Sequence, residues 1–342
     1  MKLLISHLPK ISIVTPSFNQ GQYIEETILS VINQNYPDLE YIIIDGGSTD
    51  NTVEIIKKYE KHISYWVSEP DRGQSHAISK GLEKCTGDVF NWLNSDDYYE
   101  PKALFKVGEA FIGPDADVLT GKERRISERG EEIGISGGTS VMANISETVG
   151  KCHIDQPSTF FRLSALKPLL PLDESMHYLM DGEMWLRFLL YWGQEGIKET
   201  NEVLVNFRLH ESSKTVSSTR AFQIDKNTFE NNLLEGFSIG SSIKEVLLSR
   251  ESQMSSKAVD IRQNVDEDVV TSFFCARSVA QFYEQNEYEK ARLCLDFIRC
   301  HNSSLYSIYP SLGYYDKVLR FPTILLKVAR TVKKDLTNFI SY

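Results

Sequence analysis

Four times in about the first 110 residues an apolar run ends in a polar loop that leads into a segment of helical periodicity. The runs are Ile11-Ser12-Ile13-Val14-Thr15, Tyr41-Ile42-Ile43-Ile44, Tyr65-Trp66-Val67 and Val89-Phe90-Asn91-Trp92-Leu93. Ile24, Ile28, Val31 and Ile32 recur at helical spacing before Pro37; Val53, Ile56 and Tyr59 follow N-cap candidates at 48–51. Further helices are predicted over 75–84 and from Pro101. Strand–loop–helix units in series predict a parallel, doubly wound α/β sheet, and the unbroken apolar run at 41–44 suits a central strand buried on both faces. Pro16 has no N–H for a ladder and is expected to end the first strand.

In such sheets ligands bind beyond the carboxyl ends of the strands, and the polar residues of this chain collect there. Asp45 closes an apolar strand, where a carboxylate is costly unless something binds it; Gly46, Gly47 and Ser48 read equally as an ordinary turn and helix cap. Pro70-Asp71-Arg72-Gly73-Gln74-Ser75 sets a cation and small residues before a helix, which suits an anion such as a diphosphate. In Asn94-Ser95-Asp96-Asp97 two adjacent carboxylates repel each other, a cost that Mn²⁺ or Mg²⁺ removes; a helix cap is the plainer reading. There is no G-x-x-x-x-G-K-[ST] loop, and no G-x-G-x-x-G follows the first strand, which argues against a P-loop enzyme or a nicotinamide dehydrogenase.

A formal charge of −10 argues against nucleic acid as the main partner. Five scattered cysteines without metal spacing fit a reducing cytoplasm, and no apolar run is long enough to span a membrane. From Asp117 the pattern changes. Strands are predicted at 118–120 and 125–127 on either side of polar residues, with a hairpin tip at 128–130, then at 159–161 and 203–210, with a mobile loop over 134–146 and a helix opening at Asp181. Beyond about 218 the chain reads as helical. The segments 269–285 and 288–300, turning at Asn286, resemble one tetratricopeptide-like hairpin. Two domains are expected, 1–218 and 219–342. Lys317, Arg320, Lys327, Arg330, Lys333 and Lys334 flank an apolar helical face, so 317–340 reads either as a helix lying on an anionic membrane or as one docked on the protein.

In this order, SIVTPSFNQGQYIEETILSV, IIIDGGSTDNT, EPDRGQSHAISKG, NWLNSDDYY, HIDQPSTFF, YLMDGEMWLRF and FRLHESSKT resemble the family 2 glycosyltransferases of GT-A fold, over residues 10 to about 216. The resemblance implies inverting transfer of a sugar from a nucleotide-sugar, UDP-linked by preference, to a hydroxyl of a glycan or lipid-linked glycan, in a setting of bacterial surface polysaccharide assembly. It puts Thr15, Pro16, Asn19, Asp45 and Gly46 in the nucleotide pocket, with Arg72 and Ser75 beside the base or diphosphate. Asp96 falls near the ribose, Asp97 on the metal, and His210 near the metal or diphosphate as a candidate metal ligand; Asn94, a further nucleotide-binding candidate, stands where many members carry an acid. Asp181 becomes the general base, with Met180 standing where the family carries Glu. His153 and Gln156 are either ligand contacts or structural residues. Glu183 is the second acid of the same helix start. Two rivals remain at this point: a sugar-phosphate nucleotidyltransferase, which should carry a Gly-rich basic loop after the first strand, and a non-catalytic scaffold.

Overall fold

The computed structural model describes residues 8–211, 213–214, 218–254 and 259–327. The N-terminal seven residues, part of the 212–218 loop, part of the 249–257 linker and the basic segment beyond Lys327 lie outside the described residues.

The strands are β1 (Ile11–Ser17), β2 (Leu39–Asp45), β3 (Tyr65–Ser68), β4 (Val89–Trp92), β5 (Tyr98–Tyr99), β6 (Val118–Ser127), β7 (Glu132–Ile135), β8 (Thr159–Arg162) and β9 (Ile197–Leu209). The α-helices are α1 (Ile24–Ile32), α2 (Thr52–Lys58), α3 (Gln74–Leu82), α4 (Ala103–Ala110), α5 (Ile145–Lys151), α6 (Leu163–Leu166), α7 (Met180–Trp192), α8 (Thr219–Glu235), α9 (Ser241–Leu248), α10 (Glu267–Glu284), α11 (Tyr288–His301), α12 (Leu305–Ile308) and α13 (Ser311–Val318). They form two compact units. The first comprises the described part of Met1–Val141 with Cys152–Lys226 and Gln253–Gln263; the second comprises Met142–Lys151, Asn227–Ser252 and the described part of Asn264–Tyr342.

The first unit is built on one sheet in the order β3-β2-β1-β4-β8-β6-β9-β5, with β7 added to β6. Its first half is parallel, as the strand–helix repeat predicts. Its second half is mixed: β8 runs antiparallel to both β4 and β6, β9 is parallel to β6, and β5 is antiparallel to β9. The core is packed by Ile11, Ile13, Ile43, Val89 and Phe160 of the sheet with Ile24, Ile28 and Val107 of the helices. Gly81 of α3 faces Val14, whose side chain would lie 2.4 Å from an added Cβ, so a glycine is what lets α3 lie against β1.

Pro16 does not end the first strand; it pairs with Ile44 inside β1. Its backbone nitrogen shares the parity of Val14, whose carbonyl accepts from Leu93 on the β4 side. Ladder pairing with β4 ends at Val14 and Trp92, so Pro16 sits where no donor is required. Residues 118–127 are a single strand, because the polar residues between the two predicted pieces pair with β9. The segment 134–146 is not one loop: it holds the end of β7 and the start of α5.

In the second unit Asp266 caps α10, its carboxylate accepting from the backbone N–H groups of Asp268 (3.0 Å) and Val269 (3.1 Å). Tyr283 of α10 meets Tyr288 of α11 across the Asn286 turn, the ring centroids 5.5 Å apart. Glu230, 1% exposed, takes charged hydrogen bonds from Arg250 and Arg277, which is how an interior carboxylate is made tolerable.

Candidate active site

The loops after β1 and β2 are tied to each other. Asn19 donates its N–H to Ser48 Oγ (2.7 Å) and accepts from Thr49 N at Oδ1 (2.9 Å), and Gly21 N donates to Asp50 Oδ2 (2.9 Å). Asn19 has φ 52, a left-handed conformation that asparagine accepts more readily than most residues. Thr15 is buried, with Oγ1 3.2 Å from the Tyr41 hydroxyl.

Asp45 is fully buried at the end of β2. Oδ2 accepts from Gly47 N (3.1 Å), Ser48 N (2.9 Å) and Ser68 Oγ (2.6 Å), and Oδ1 from Ser48 Oγ (2.5 Å). Its own turn and β3 therefore satisfy the carboxylate that looked costly in the sequence. Gly46 N donates to Ser17 O (2.8 Å), and a Cβ at Gly46 would lie 2.7 Å from Asp71 Oδ2.

Arg72 makes a two-pronged pair with Glu174, Nε to Oε2 at 2.8 Å and Nη2 to Oε1 at 3.0 Å. Ser75 Oγ donates to Met176 O (3.0 Å). Gln74, at the start of α3, donates from Nε2 to Asn94 Oδ1 (2.7 Å), and its Oε1 accepts from Lys214 Nζ (2.9 Å). Asn94 thus belongs to a chain of side chains from three separate segments.

The acid loop after β4 is gripped from β9. Arg208 donates its N–H to Asp97 Oδ1 (2.9 Å), Nε to Asp96 O (3.1 Å) and Nη2 to Glu26 (2.6 Å), with its guanidinium over the ring of Tyr23 at 5.1 Å. His210 Nε2 lies 2.9 Å from Asp96 Oδ2. Asp97 is 1% exposed, and burial followed by the Asp96 charge drives its carboxyl well above the ordinary range. Among the described residues no group of three or more His, Cys, Asp and Glu side chains is arranged to hold a metal ion. A divalent ion that takes one or two carboxylates and finishes its shell with ligand phosphates and waters needs no such group, and the Asp97 carboxyl fits one, because a cation there would offset the burial and the Asp96 charge that push it up.

Asp181 opens α7 and accepts from Gly182 N at Oδ1 (2.8 Å). Burial raises its carboxyl to about 6, against the pull of that backbone N–H and of the charges on His153 and Lys214. The other acid of this helix start is elsewhere occupied. Glu183 is 3% exposed and forms a two-pronged pair with Arg187 (2.5 and 2.8 Å). Gln156 is likewise engaged inside, donating to Asn91 Oδ1 (2.7 Å) and Trp92 O (2.9 Å). His153 Nε2 meets Asp155 Oδ1 at 3.1 Å.

Three groups were not anticipated from the sequence. Arg208 lies near the end of β9 and His210 just beyond it, two residues apart and so of one parity, a signal that singled out only the histidine. Lys214 and Glu123 carry no local signal. Glu123, on β6, is 4% exposed with Oε1 unpartnered among the described residues, and burial, then the Asp155 charge, push its carboxyl well above the usual range against the pull of Arg125.

A sheet whose parallel strands deliver an acid turn, an Arg-Gly helix start and an adjacent acid pair to one face, with a raised carboxyl on a neighbouring helix, defines a nucleotide-sugar-dependent transferase of GT-A fold. Residues 12–168 match the family model of glycosyl transferase family 2, and the activity of the chain is that of a glycosyltransferase. An uncharacterized glycosyltransferase of Rickettsia typhi is 26% identical over 228 residues, 61% of this chain and 67% of that one. TuaG of Bacillus subtilis, a glycosyltransferase named for teichuronic acid biosynthesis, is 40% identical over 103 residues, 29% of this chain and 40% of its own. Staphylococcus aureus TarS 1–349, solved with UDP-GlcNAc, superposes with a TM-score of 0.52 at 16% identity, covering 94% of this chain and 92% of that one.

Proposed function

We propose that this protein transfers a sugar from a UDP-sugar to a glycan or lipid-linked glycan hydroxyl with inversion, and that Asp181 is the base. The observation that carries the reading is the carboxyl of Asp181 at about 6, ionised at neutral pH yet basic enough to take a proton, with the charge of Lys214 acting on it. Lys214 is in turn joined through Gln74 to Asn94 of the acid loop. Asp181 accepts the hydroxyl proton as that oxygen attacks the anomeric carbon from the face opposite the leaving diphosphate. Asp97 would hold Mn²⁺ or Mg²⁺, with Asp96 beside it toward the ribose. That ion, when bound, supplies charge neutralisation to the leaving group. Thr15, Pro16, Asn19 and Gly46 shape the base pocket, and a base N–H reaches Asp45 by taking the place of one serine hydroxyl. His210 orients Asp96.

All these residues precede 218, and we keep 1–218 as the catalytic part and 219–342 as its helical extension. The name of TuaG favours a cell-envelope polysaccharide product. No helix among the described residues is long and apolar enough to cross a membrane. Phe321, Ile324 and Leu325 are exposed at 58%, 76% and 55% beside Lys317, Arg320 and Lys327, and we assign them a peripheral contact with anionic lipid on the cytoplasmic face. A donor panel led by UDP-GlcNAc, the ligand of the TarS complex, tests the function. Release of nucleoside diphosphate that depends on an added acceptor supports it, and no release with any donor counts against it.

A further inference from the structure

We infer that Lys214 is the cation that binds the diphosphate of the donor, a role the sequence pattern points toward Arg72. The inference deepens the donor reading above and rests on it.

Of the cations at this face, Arg72 is committed to Glu174 through two hydrogen bonds, at 2.8 and 3.0 Å. Arg208 is spent on Glu26 and on the backbone of the acid loop and of Glu128. Lys214 is different. Among the described residues its ammonium touches neutral acceptors only, Gln74 Oε1 at 2.9 Å and His177 O at 2.7 Å, above the ring of Tyr178 at 5.6 Å. A lysine with three N–H donors and two neutral acceptors keeps one donor and its whole charge for an anion.

The place is as telling as the charge. Gln74 fixes Lys214 at the N-terminal start of α3, where backbone N–H groups already favour an anion, and the same Gln74 holds Asn94 of the acid loop. Burial lowers the lysine's pKa, and the charges of Asp181 and Asp225 act against that fall.

The test compares Lys214→Met and Lys214→Arg with the native chain by calorimetry, using UDP, uridine and inorganic pyrophosphate as separate probes. A charge-assisted contact of ordinary strength predicts that Lys214→Met loses roughly 10- to 100-fold in affinity for UDP and pyrophosphate. Uridine binding should stay unchanged, and Lys214→Arg should recover most of the loss. Undiminished UDP and pyrophosphate binding by Lys214→Met would overturn the inference. So would an equal loss for uridine, because that marks Lys214 as a prop for Gln74 and Asn94. If the native chain binds pyrophosphate but neither UDP nor uridine, the donor reading fails, and the pyrophosphate arm still decides the role of Lys214.

Discussion

His210 Nε2 and Asp96 Oδ2 stand 2.9 Å apart although 114 residues separate them in the chain. The contact joins the end of β9 to the acid loop after β4, and it engages the imidazole through Nε2. A metal ion at Asp97 must therefore bring most of its other ligands with it, and the diphosphate is their natural source. Metal and nucleotide binding should be coupled: UDP titrated by calorimetry binds at least tenfold more weakly with chelator than with Mn²⁺, and Mn²⁺ alone binds feebly. Equal UDP affinity in both would remove the metal from the account.

Glu183 is a structural residue by its contacts. Removing one partner of its buried pair with Arg187 leaves the guanidinium uncompensated, at a cost of about 3–5 kcal/mol. Glu183→Gln should lower the melting temperature markedly, while the protein that remains folded keeps its kcat. An unchanged melting temperature together with lost transfer would give Glu183 the catalytic role instead.

The parallel half of the sheet was legible because each of its signals is local: an apolar run, a turn and a helical stripe within about thirty residues. Of the mixed half, parts of β6, β8 and β9 were legible but their pairing was not, since these strands and β5 find partners far along the chain. The same division runs through the site. Asp45, Asp96, Asp97 and Asp181 announce themselves as acids at element ends. That Ser68 would satisfy Asp45, that Glu174 would claim Arg72, and that Lys214 would reach Gln74 are contacts between distant segments that no spacing encodes. Pro16 shows the converse failure: a sound local rule gave way because pairing with β4 ends just before it.

The exposed apolar residues Phe321, Ile324 and Leu325 give the membrane reading a direct handle. Replacing all three by Ser should reduce co-flotation with vesicles containing anionic lipid, and raising salt should reduce it further through the neighbouring Lys317, Arg320 and Lys327. Flotation equal to that of the native chain would return this segment to a docked helix.

Folding raises the Asp181 carboxyl from 3.8 to about 6, so the fold favours its protonated form. That stabilisation is full below about pH 4 and is lost as pH rises through about 6, leaving the ionised group a burden at neutral pH. Asp181→Asn should therefore raise stability at pH 7 by something of order 1–3 kcal/mol. A lower melting temperature at pH 7 would mean that burial does not govern this carboxyl.

Transfer by the native chain and by Asp181→Asn, measured with one accepted donor and acceptor across pH 5 to 8, bears most directly on the whole account. General base catalysis is worth about 10²–10⁴-fold, so Asp181→Asn should lose that much in kcat while its UDP affinity stays within about twofold. The native rate should rise with pH through about 6, and the residual rate of the variant should not follow it. An Asp181→Asn protein that transfers sugar at the native rate, with the native pH profile, would contradict the assignment of the base and with it the mechanism proposed for this site.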